Sequence, residues 1–323
     1  MPVSFSVALA ACNGALYLPE FLDSLTSQTL PPQELVAADD ASNDGTAILL
    51  EAFAARAPFQ VRILRNPRRL GVVENFSRAM AACNGNAIAL ADQDDVWRAE
   101  KLEKLALALE QPDTMAAFSD AEVVDEGLEG LGYTMWQQIG FNARRQKLLK
   151  GDQPWEALFK DPVVTGATLM FKRELLPYIF PIPDSWLHDA WIAQIAVSQG
   201  QLAAINETLV LYRQHGSNAI GGKRKKLSEQ IRSAYSLGRL GLVERELRRF
   251  GALHDRLSSF PASPRRDCML ALSKSKIAHL ERRRSLPSNR LRRLPTVWQE
   301  WRHGNYRRFA KDWRNVAADL LMP

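Results

Sequence analysis

Between residues 5 and 92 the chain repeats one succession, a short apolar run, a polar loop and a helix-periodic segment, and this constrains its fold more than any other feature. Val3-Ser4-Phe5-Ser6-Val7-Ala8-Leu9 alternates apolar with small polar residues and ends in the turn signal Ala11-Cys12-Asn13-Gly14. Leu18, Phe21, Leu22 and Leu25 recur at helical spacing ahead of Pro31-Pro32. Leu35-Val36-Ala37-Ala38 predicts a second strand, which runs into Asp39-Asp40-Ala41-Ser42-Asn43-Asp44-Gly45-Thr46; Ile48, Leu49, Ala52 and Phe53 supply its helix. Val61-Arg62-Ile63-Leu64, the helical set Val72, Val73, Phe76, Ala79 and Met80, and Ala87-Ile88-Ala89-Leu90 continue the series. Such alternation predicts an α/β fold, a Rossmann-like, mixed but mostly parallel sheet with helices on both faces. In such sheets ligands bind at the carboxyl ends of the strands, so the loops after the second and fourth strands should face one crevice.

The fourth of these loops, Asp92-Gln93-Asp94-Asp95, is the most unusual stretch of the chain. Carboxylates this close raise one another's pKa unless a cation sits among them. Hard divalent ions such as Mg²⁺ or Mn²⁺ favour oxygen ligands and bridge to substrate phosphates. A metal-diphosphate site is one reading, and acidic residues dressing the start of the next helix is the other.

Beyond this loop, Leu102, Leu105 and Leu109 predict a helix and Met115 to Val124 a strand. The segment Asp125–Asp161, rich in Gly, Gln and charge, reads as an irregular excursion on the acceptor side. Val163 to Phe171 reads as strand, Trp191, Ile192, Ile195 and Ala196 as a helix beginning near His188-Asp189, and Leu209-Val210-Leu211-Tyr212 as a last strand before Arg213-Gln214-His215-Gly216-Ser217-Asn218. From Lys223 the texture changes to Leu and Arg at helical spacings. Residues 1–222 hold 17 Lys and Arg against 27 Asp and Glu, whereas 223–323 hold 25 against 9. The overall charge of +6 therefore conceals an acidic and a basic part, and the boundary is expected at Gly221-Gly222.

No run reaches the roughly 18 apolar residues of a membrane span, and the N-terminus lacks a signal-peptide pattern, so a cytoplasmic location is expected. Cys12, Cys83 and Cys268 have no metal-ligand spacing and suit reduced thiols.

Taken together, the motifs resemble family 2 glycosyltransferases of the GT-A fold, and their wording is close to bacterial rhamnosyltransferase-like members. The resemblance is carried by Asn13-Gly14, Asp39-Asp40-x-Ser42-x-Asp44-Gly45-Thr46, Gly71 with Asn75, Asp92-Gln93-Asp94-Asp95, Thr165-Gly166-Ala167, His188-Asp189-Ala190-Trp191 and Tyr212-Arg213-x-His215-Gly216-x-Asn218. It spans roughly residues 3–221. What it implies is an inverting, metal-dependent transfer of a sugar, rhamnose being one candidate, from a UDP- or dTDP-sugar to a cell-surface glycan or lipid-linked acceptor. In that reading Asp40 accepts a hydrogen bond from the imide N–H of the base, and Ala11, Asn13, Gly71, Asn75, Gln93 and Arg213 line the nucleotide-sugar. Asp92 touches ribose or metal, Asp94 and His215 hold the metal, and Asp95 assists or caps the next helix. Gly166 lets the backbone approach the sugar. Asp189 is the catalytic base, with His188 and Trp191 on the acceptor side; Trp97 and Trp186 could also stack on sugar, although core packing is the competing role. The stretch Gly71-Val72-Val73-Glu74-Asn75 departs from the family's Arg-Asn wording, which leaves that helix's donor contacts open. Asp44 and Thr46 fit helix capping.

The basic region lies outside the resemblance. Its arginines and its aromatics Trp298, Trp301, Tyr306, Phe309 and Trp313 suggest helices lying on an anionic membrane surface, peripheral to the cytoplasmic face of the inner membrane. A solvated helical bundle or a homo-oligomer contact is the alternative for this region. Two other functions are weighed. A nucleotidyltransferase would need a Gly-rich basic loop after the first strand, where Asn13-Gly14 stands. Nucleic-acid binding is not expected, because the positive charge comes without a recognised motif.

Overall fold

The computed structural model describes residues 4–216, 227–310 and 313–322. The expected boundary Gly221-Gly222, the basic run Lys223-Arg224-Lys225-Lys226 and the motif residue Asn218 lie outside the described residues. Two compact units form, one from Met1–Pro154, Val163–Ile182 and Leu187–Lys223, the other from Trp155–Pro162, Pro183–Trp186 and Arg224–Pro323.

The elements run β1 (Phe5–Ala11), α1 (Leu18–Thr26), β2 (Glu34–Asp39), α2 (Thr46–Ala54), β3 (Gln60–Arg65), α3 (Val72–Ala82), β4 (Ala87–Asp92), β5 (Val96–Trp97), α4 (Lys101–Leu109), β6 (Thr114–Val124), β7 (Gly130–Thr134), α5 (Met135–Ile139) and α6 (Ala143–Lys150). Then come α7 (Trp155–Leu158), β8 (Leu169–Lys172), α8 (Leu176–Ile179), α9 (His188–Gln199) and β9 (Gln201–Arg213). The sheet of the first unit has the order β3-β2-β1-β4-β8-β6-β9-β5, with β7 beside β6. Neighbours among β1, β2, β3 and β4, and the β6–β9 pair, are parallel; β5, β7 and β8 run antiparallel to their partners. This is the mostly parallel α/β sheet that the alternation predicts.

The central strands are apolar on both faces because helices cover both. Val7, Ala8, Leu9, Val36, Ala37, Ala89 and Leu90 are fully buried, and Phe21, Leu25, Leu102 and Leu105 of α1 and α4 close one side. Register then fixes where the loops emerge. Ala11 pairs with Asp39 and Ala10 with Asp92, so the carboxyl ends of β2 and β4 flank that of β1. At about 4.8 Å between neighbouring strands, the two acidic loops start roughly 10 Å apart.

Three expectations need correction. Residues 125–161 are largely regular: β7 leads into α5 through a capping box between Thr134 and Gln137, and Asn142 caps α6. Each element is too short for its period to show in the sequence. The strand expected over Val163–Phe171 is confined to Leu169–Lys172, because a 3₁₀ turn occupies Gly166–Thr168, where the Thr168 hydroxyl bonds the Thr165 carbonyl at 2.8 Å. The last strand begins at Gln201, eight residues before Leu209, its start disguised by Asn206-Glu207.

The second unit is helical: α7 with α10 (Leu227–Ser258, broken at Gly238), α11 (Pro264–Arg284), α12 (Arg290–Arg302), α13 (Asn305–Phe309) and α14 (Trp313–Leu321). Phe250 packs between Phe159 and Trp186. The buried Lys276 ammonium bonds the Phe159 carbonyl at 2.5 Å and Glu246 at 3.3 Å. A second cluster holds Leu286, Val297, Tyr306 and Ala310. No helix among the described residues is long and apolar enough to cross a membrane.

Two glycines offer a paired test of packing. A Cβ at Gly85 would sit 2.6 Å from the Ser6 backbone nitrogen in β1, which cannot yield, whereas one at Gly251 in α10 meets nothing. Gly85→Ala is expected to lower the unfolding free energy by about 1–3 kcal/mol, and Gly251→Ala to raise it by up to about 1 kcal/mol, both read from urea titrations.

Candidate active site

The loops after β1, β2 and β3 form one polar lattice. Gly14 N–H donates to Thr46 Oγ1 at 2.8 Å, Ala15 N–H to Asp44 at 3.0 Å and Asn13 N–H to Ser42 Oγ at 2.8 Å. Asp44 also accepts from the Thr46 N–H and hydroxyl; the cap position of α2 itself is Gly45, without a side-chain cap, so these two residues brace the first loop rather than cap the helix. Burial pushes the Asp44 pKa up, but the bonds from Thr46 and Ala15 outweigh it and hold the carboxyl below its usual range. Asn13 sits at φ 50° in the left-handed region, and its side-chain oxygen accepts the Asn43 N–H.

Asp40 is buried at the end of this lattice. One oxygen accepts from Asn66 Nδ2 at 2.8 Å and Leu70 N–H at 2.7 Å, and the other from Gly71 N–H at 2.9 Å. Burial raises its pKa, yet these donors, with the nearby charge of Arg69, pull it below the ordinary value. A carboxylate offers about four acceptor positions, so roughly one remains, on the oxygen that meets Gly71. Gly71 presents its N–H from φ 89°, a conformation that favours glycine.

Ala11 and Asn75 turn out to be internal rather than ligand-facing. Asn75 donates to the Ala38 carbonyl at 2.8 Å and the Ala11 carbonyl at 3.3 Å, and accepts from Asn66. Both amide hydrogens of Asn75 are thereby used in tying α3 to the ends of β1 and β2, and the Ala11 carbonyl also accepts the Asp40 N–H. Gln93 is corrected in the same sense: its amide donates to the Cys12 carbonyl at 2.9 Å and accepts the Cys12 N–H at 2.8 Å, as a neighbouring strand would. Cys12 is a free thiol whose pKa burial raises, the reverse of a primed nucleophile.

The acidic loop is anchored to the end of β9. His215 Nε2 lies 2.8 Å from an Asp94 carboxyl oxygen, and its ring rests 4.7 Å from that of Tyr17. Arg213, expected at the nucleotide, is instead 1 % exposed. Its guanidinium bonds the Asp94 carbonyl at 2.8 Å, the Glu126 carbonyl and the Glu20 carboxylate, and stacks 4.5 Å from the Tyr17 ring. Asp95 does not cap α4; it accepts the Arg213 backbone N–H at 3.0 Å, and its second oxygen is buried without a hydrogen-bond partner. Beneath the loop lies Lys101, fully buried, its ammonium 2.6 Å from the Ala167 carbonyl and over the Trp97 ring. Burial drives the Lys101 pKa well down, against the pull of Asp95 and Asp92. For Asp92, burial and the charges of Asp94 and Asp189 push the pKa up to about 7, with Lys101 opposing. Asp95 is driven up by burial and by Asp94 and Asp92.

The influence of Asp189 on Asp92 brings the start of α9 to the same crevice. Asp189 accepts the Gly166 N–H at 3.1 Å with one oxygen and the Ala190 N–H at 2.6 Å with the other. A Cβ at Gly166 would meet His188 Nε2 at 2.9 Å. His188 stacks on Phe76 at 4.1 Å, both ring nitrogens are buried without hydrogen-bond partners, and burial lowers its pKa against the pull of Asp189, keeping the ring neutral. Trp191 is a core residue rather than an acceptor platform, with its indole N–H on the Ile179 carbonyl. Trp97 and Trp186 are likewise buried. Asn66, Lys101, Tyr17 and Glu20 escaped the sequence reading. Asn66 had a turn signal in Asn66-Pro67, but Lys101 looked like one more helix-face cation.

Among the described residues no three His, Cys, Asp or Glu side chains form a metal-holding group. Asp94 and His215 nevertheless supply an oxygen and an imidazole nitrogen at one point, beside the raised Asp92. Two protein donors with diphosphate oxygens and water are an ordinary set for Mg²⁺ or Mn²⁺, so the residues fit a divalent ion held jointly with a donor.

The family model described as glycosyl transferase family 2 matches residues 6–179, and the chain belongs to that family. It is 26% identical over 232 residues to an uncharacterized glycosyltransferase of Nostoc sp., covering 71% of this chain and 70% of the relative. It is 23% identical over 228 residues to the Escherichia coli UDP-Glc:alpha-D-GlcNAc-diphosphoundecaprenol beta-1,3-glucosyltransferase WfgD, covering 70% and 83%. Mycobacterial relatives are longer, and the match spans 58% of their length. In fold it resembles a mannosyltransferase from Pyrobaculum calidifontis in complex with GDP-Man and Mn²⁺, with TM-score 0.56 and 17% identity, covering 99% of this chain and 86% of that one.

The raised Asp92 makes stability depend on pH. Between its unfolded value near 4 and about 7 in the folded chain, the native state holds a proton that the unfolded state has lost, so this group lowers stability as pH rises through that window. Asp92→Asn is expected to stabilise the metal-free protein by about 2–4 kcal/mol at pH 8 and by little at pH 4, measured by urea unfolding at both values.

Proposed function

We propose that this chain is an inverting, metal-dependent glycosyltransferase that moves a sugar from a UDP- or dTDP-sugar to a hydroxyl of a cell-surface glycan or lipid-linked acceptor. The observation that carries the reading is the meeting of Asp94 with His215 at 2.8 Å, in the crevice where Asp189 is close enough to raise the pKa of Asp92. Asp40 keeps about one acceptor position for the imide N–H of uracil or thymine, in a carboxylate already ionised by its other donors. Asp94 and His215 would hold Mn²⁺ or Mg²⁺, which when bound neutralises charge on the departing nucleotide diphosphate. Asp189 takes the proton of the acceptor hydroxyl as that oxygen attacks the anomeric carbon from the face opposite the nucleotide. Its two hydrogen bonds, from the Gly166 and Ala190 N–H groups, fix the carboxylate's direction. Gly166, where His188 leaves no room for a Cβ, lets the main chain come close to the sugar.

A lipid-linked acceptor is supported by the likeness to the Escherichia coli glucosyltransferase, whose acceptor is a diphosphoundecaprenol-linked GlcNAc. Rhamnose is the transferred sugar we favour, on the resemblance of the motifs to rhamnosyltransferases. The enzyme would work at the cytoplasmic face of the inner membrane, its helical unit against the lipid surface.

A panel of nucleotide-sugars tested for Mn²⁺-dependent thermal stabilisation decides the reading. UDP- or dTDP-sugars should raise Tm only with the metal, and release of UDP or dTDP rather than pyrophosphate should accompany transfer; silence across both donor classes removes the proposal. Asp189→Asn is expected to leave the donor-induced Tm shift intact and to lower turnover about 10²- to 10⁴-fold.

A further inference from the structure

Helix α12 displays a stripe that its own fold cannot hide. Leu291, Leu294, Trp298 and Trp301 follow one another at intervals of three, four and three residues, which on an α-helix is a single face. Their exposures are 76%, 48%, 57% and 57%. Isolated exposed apolar side chains are ordinary, but four in line with two indoles are not.

The opposite face is pinned. Glu300 is bonded by His279, Arg282 and Asn305. Arg293 reaches the carbonyls of Pro287, Ser288, Asp319 and Met322. Val297 belongs to the core cluster with Leu286, Tyr306 and Ala310. Turning the stripe inward would tear out both buried charges, each left unpaired at a cost that a rotated helix cannot recover. Display of the stripe is therefore built into the unit.

The charges around it have one sign. The exposed charged residues of α12 are Arg290, Arg292 and Arg302, and the Arg302 guanidinium lies 5.1 Å from the Trp298 ring centre. Indole rings favour the headgroup region of a bilayer, leucines reach the acyl boundary, and arginines meet lipid phosphates. A second copy of the same face would set arginine against arginine. We propose that this face of α12 seats the protein on an anionic bilayer, with Trp298 and Trp301 as the interfacial anchors and Arg290, Arg292 and Arg302 as the lipid-phosphate contacts. The inference rests on the membrane placement proposed above and assigns the residues that make it.

Flotation of the full chain with vesicles of phosphatidylcholine alone, or with about one third phosphatidylglycerol, tests it. The protein should bind the anionic vesicles at least tenfold more tightly than the neutral ones. The advantage should shrink severalfold between 50 and 500 mM NaCl, as surface charges are screened. Trp298→Ser with Trp301→Ser should weaken anionic binding at least tenfold at unchanged Tm, while Leu107→Ser, an exposed apolar residue on α4, should not. Arg290→Gln, Arg292→Gln and Arg302→Gln together should abolish the preference for phosphatidylglycerol. Equal binding by the wild type and the double tryptophan variant overturns the proposal. So does loss of a dimer in that variant, which would make the face a self-contact, or loss of duplex DNA binding with vesicle binding unchanged. Donor-induced stabilisation of the same samples reports separately on the enzymatic reading, which vesicle binding does not probe.

Discussion

Four carboxylates, Asp92, Asp94, Asp95 and Asp189, act on one another at the mouth of the sheet, and their mutual repulsion is the constraint around which the first unit is built. Two buried basic residues hold the loop in place. Arg213 grips the loop by the Asp94 carbonyl and binds it to Glu20 on α1, while its own backbone N–H holds Asp95. Lys101 sits underneath, fixed by the Ala167 carbonyl and the Trp97 ring. Neither touches the outer edge of Asp94, which is left to His215. The fold thus holds the loop in place through main-chain and buried contacts, with His215 beside the Asp94 carboxylate. Tyr212, whose pKa is pushed up by burial and by the same four carboxylates, lies behind them as a neutral phenol.

The sheet was legible because its cause is local. Strands covered on both faces must be apolar throughout, loops at their ends must be polar, and β1 through β4 show that contrast plainly. The carboxyl ends of β2 and β4 could be assigned to one crevice for the same reason. What the sequence concealed were roles that depend on direction. Arg213, Asn75, Gln93 and Trp191 occupy motif positions, but a letter does not say whether its side chain faces out to a ligand or back to the main chain. Each turned back, to a carbonyl, a peptide or the core. Lys101 was hidden for the converse reason: a cation at helical spacing looks solvated until burial shows otherwise. Residues 125–161 were opaque because β7, α5 and α6 are shorter than the window over which a period can be read.

Burial treats charge differently in the second unit. There the buried groups are paired: Arg283 and Tyr306 with Asp319, His279 with Glu300, Lys276 with Glu246. Glu300 shows the result. Burial pushes its pKa up, yet the donors His279, Arg282 and Asn305 bring it down to about 2. Arg239 and Arg293, also buried there, are held by main-chain carbonyls instead. In the first unit, by contrast, several carboxylates crowd one crevice.

The pairing of Gln93 with the Cys12 peptide also bears on how this protein can diverge. A Cβ at Gly14 would stand 2.0 Å from the Gln93 side-chain oxygen, and that amide is held by both its hydrogen bonds to residue 12. Positions 14 and 93, seventy-nine residues apart, therefore form one steric unit. A side chain at position 14 would push the Gln93 amide aside, and a displaced or shorter residue there would unfasten the first loop from the acidic one. A side chain at position 14 and the Gln93 bridge to residue 12 therefore exclude one another.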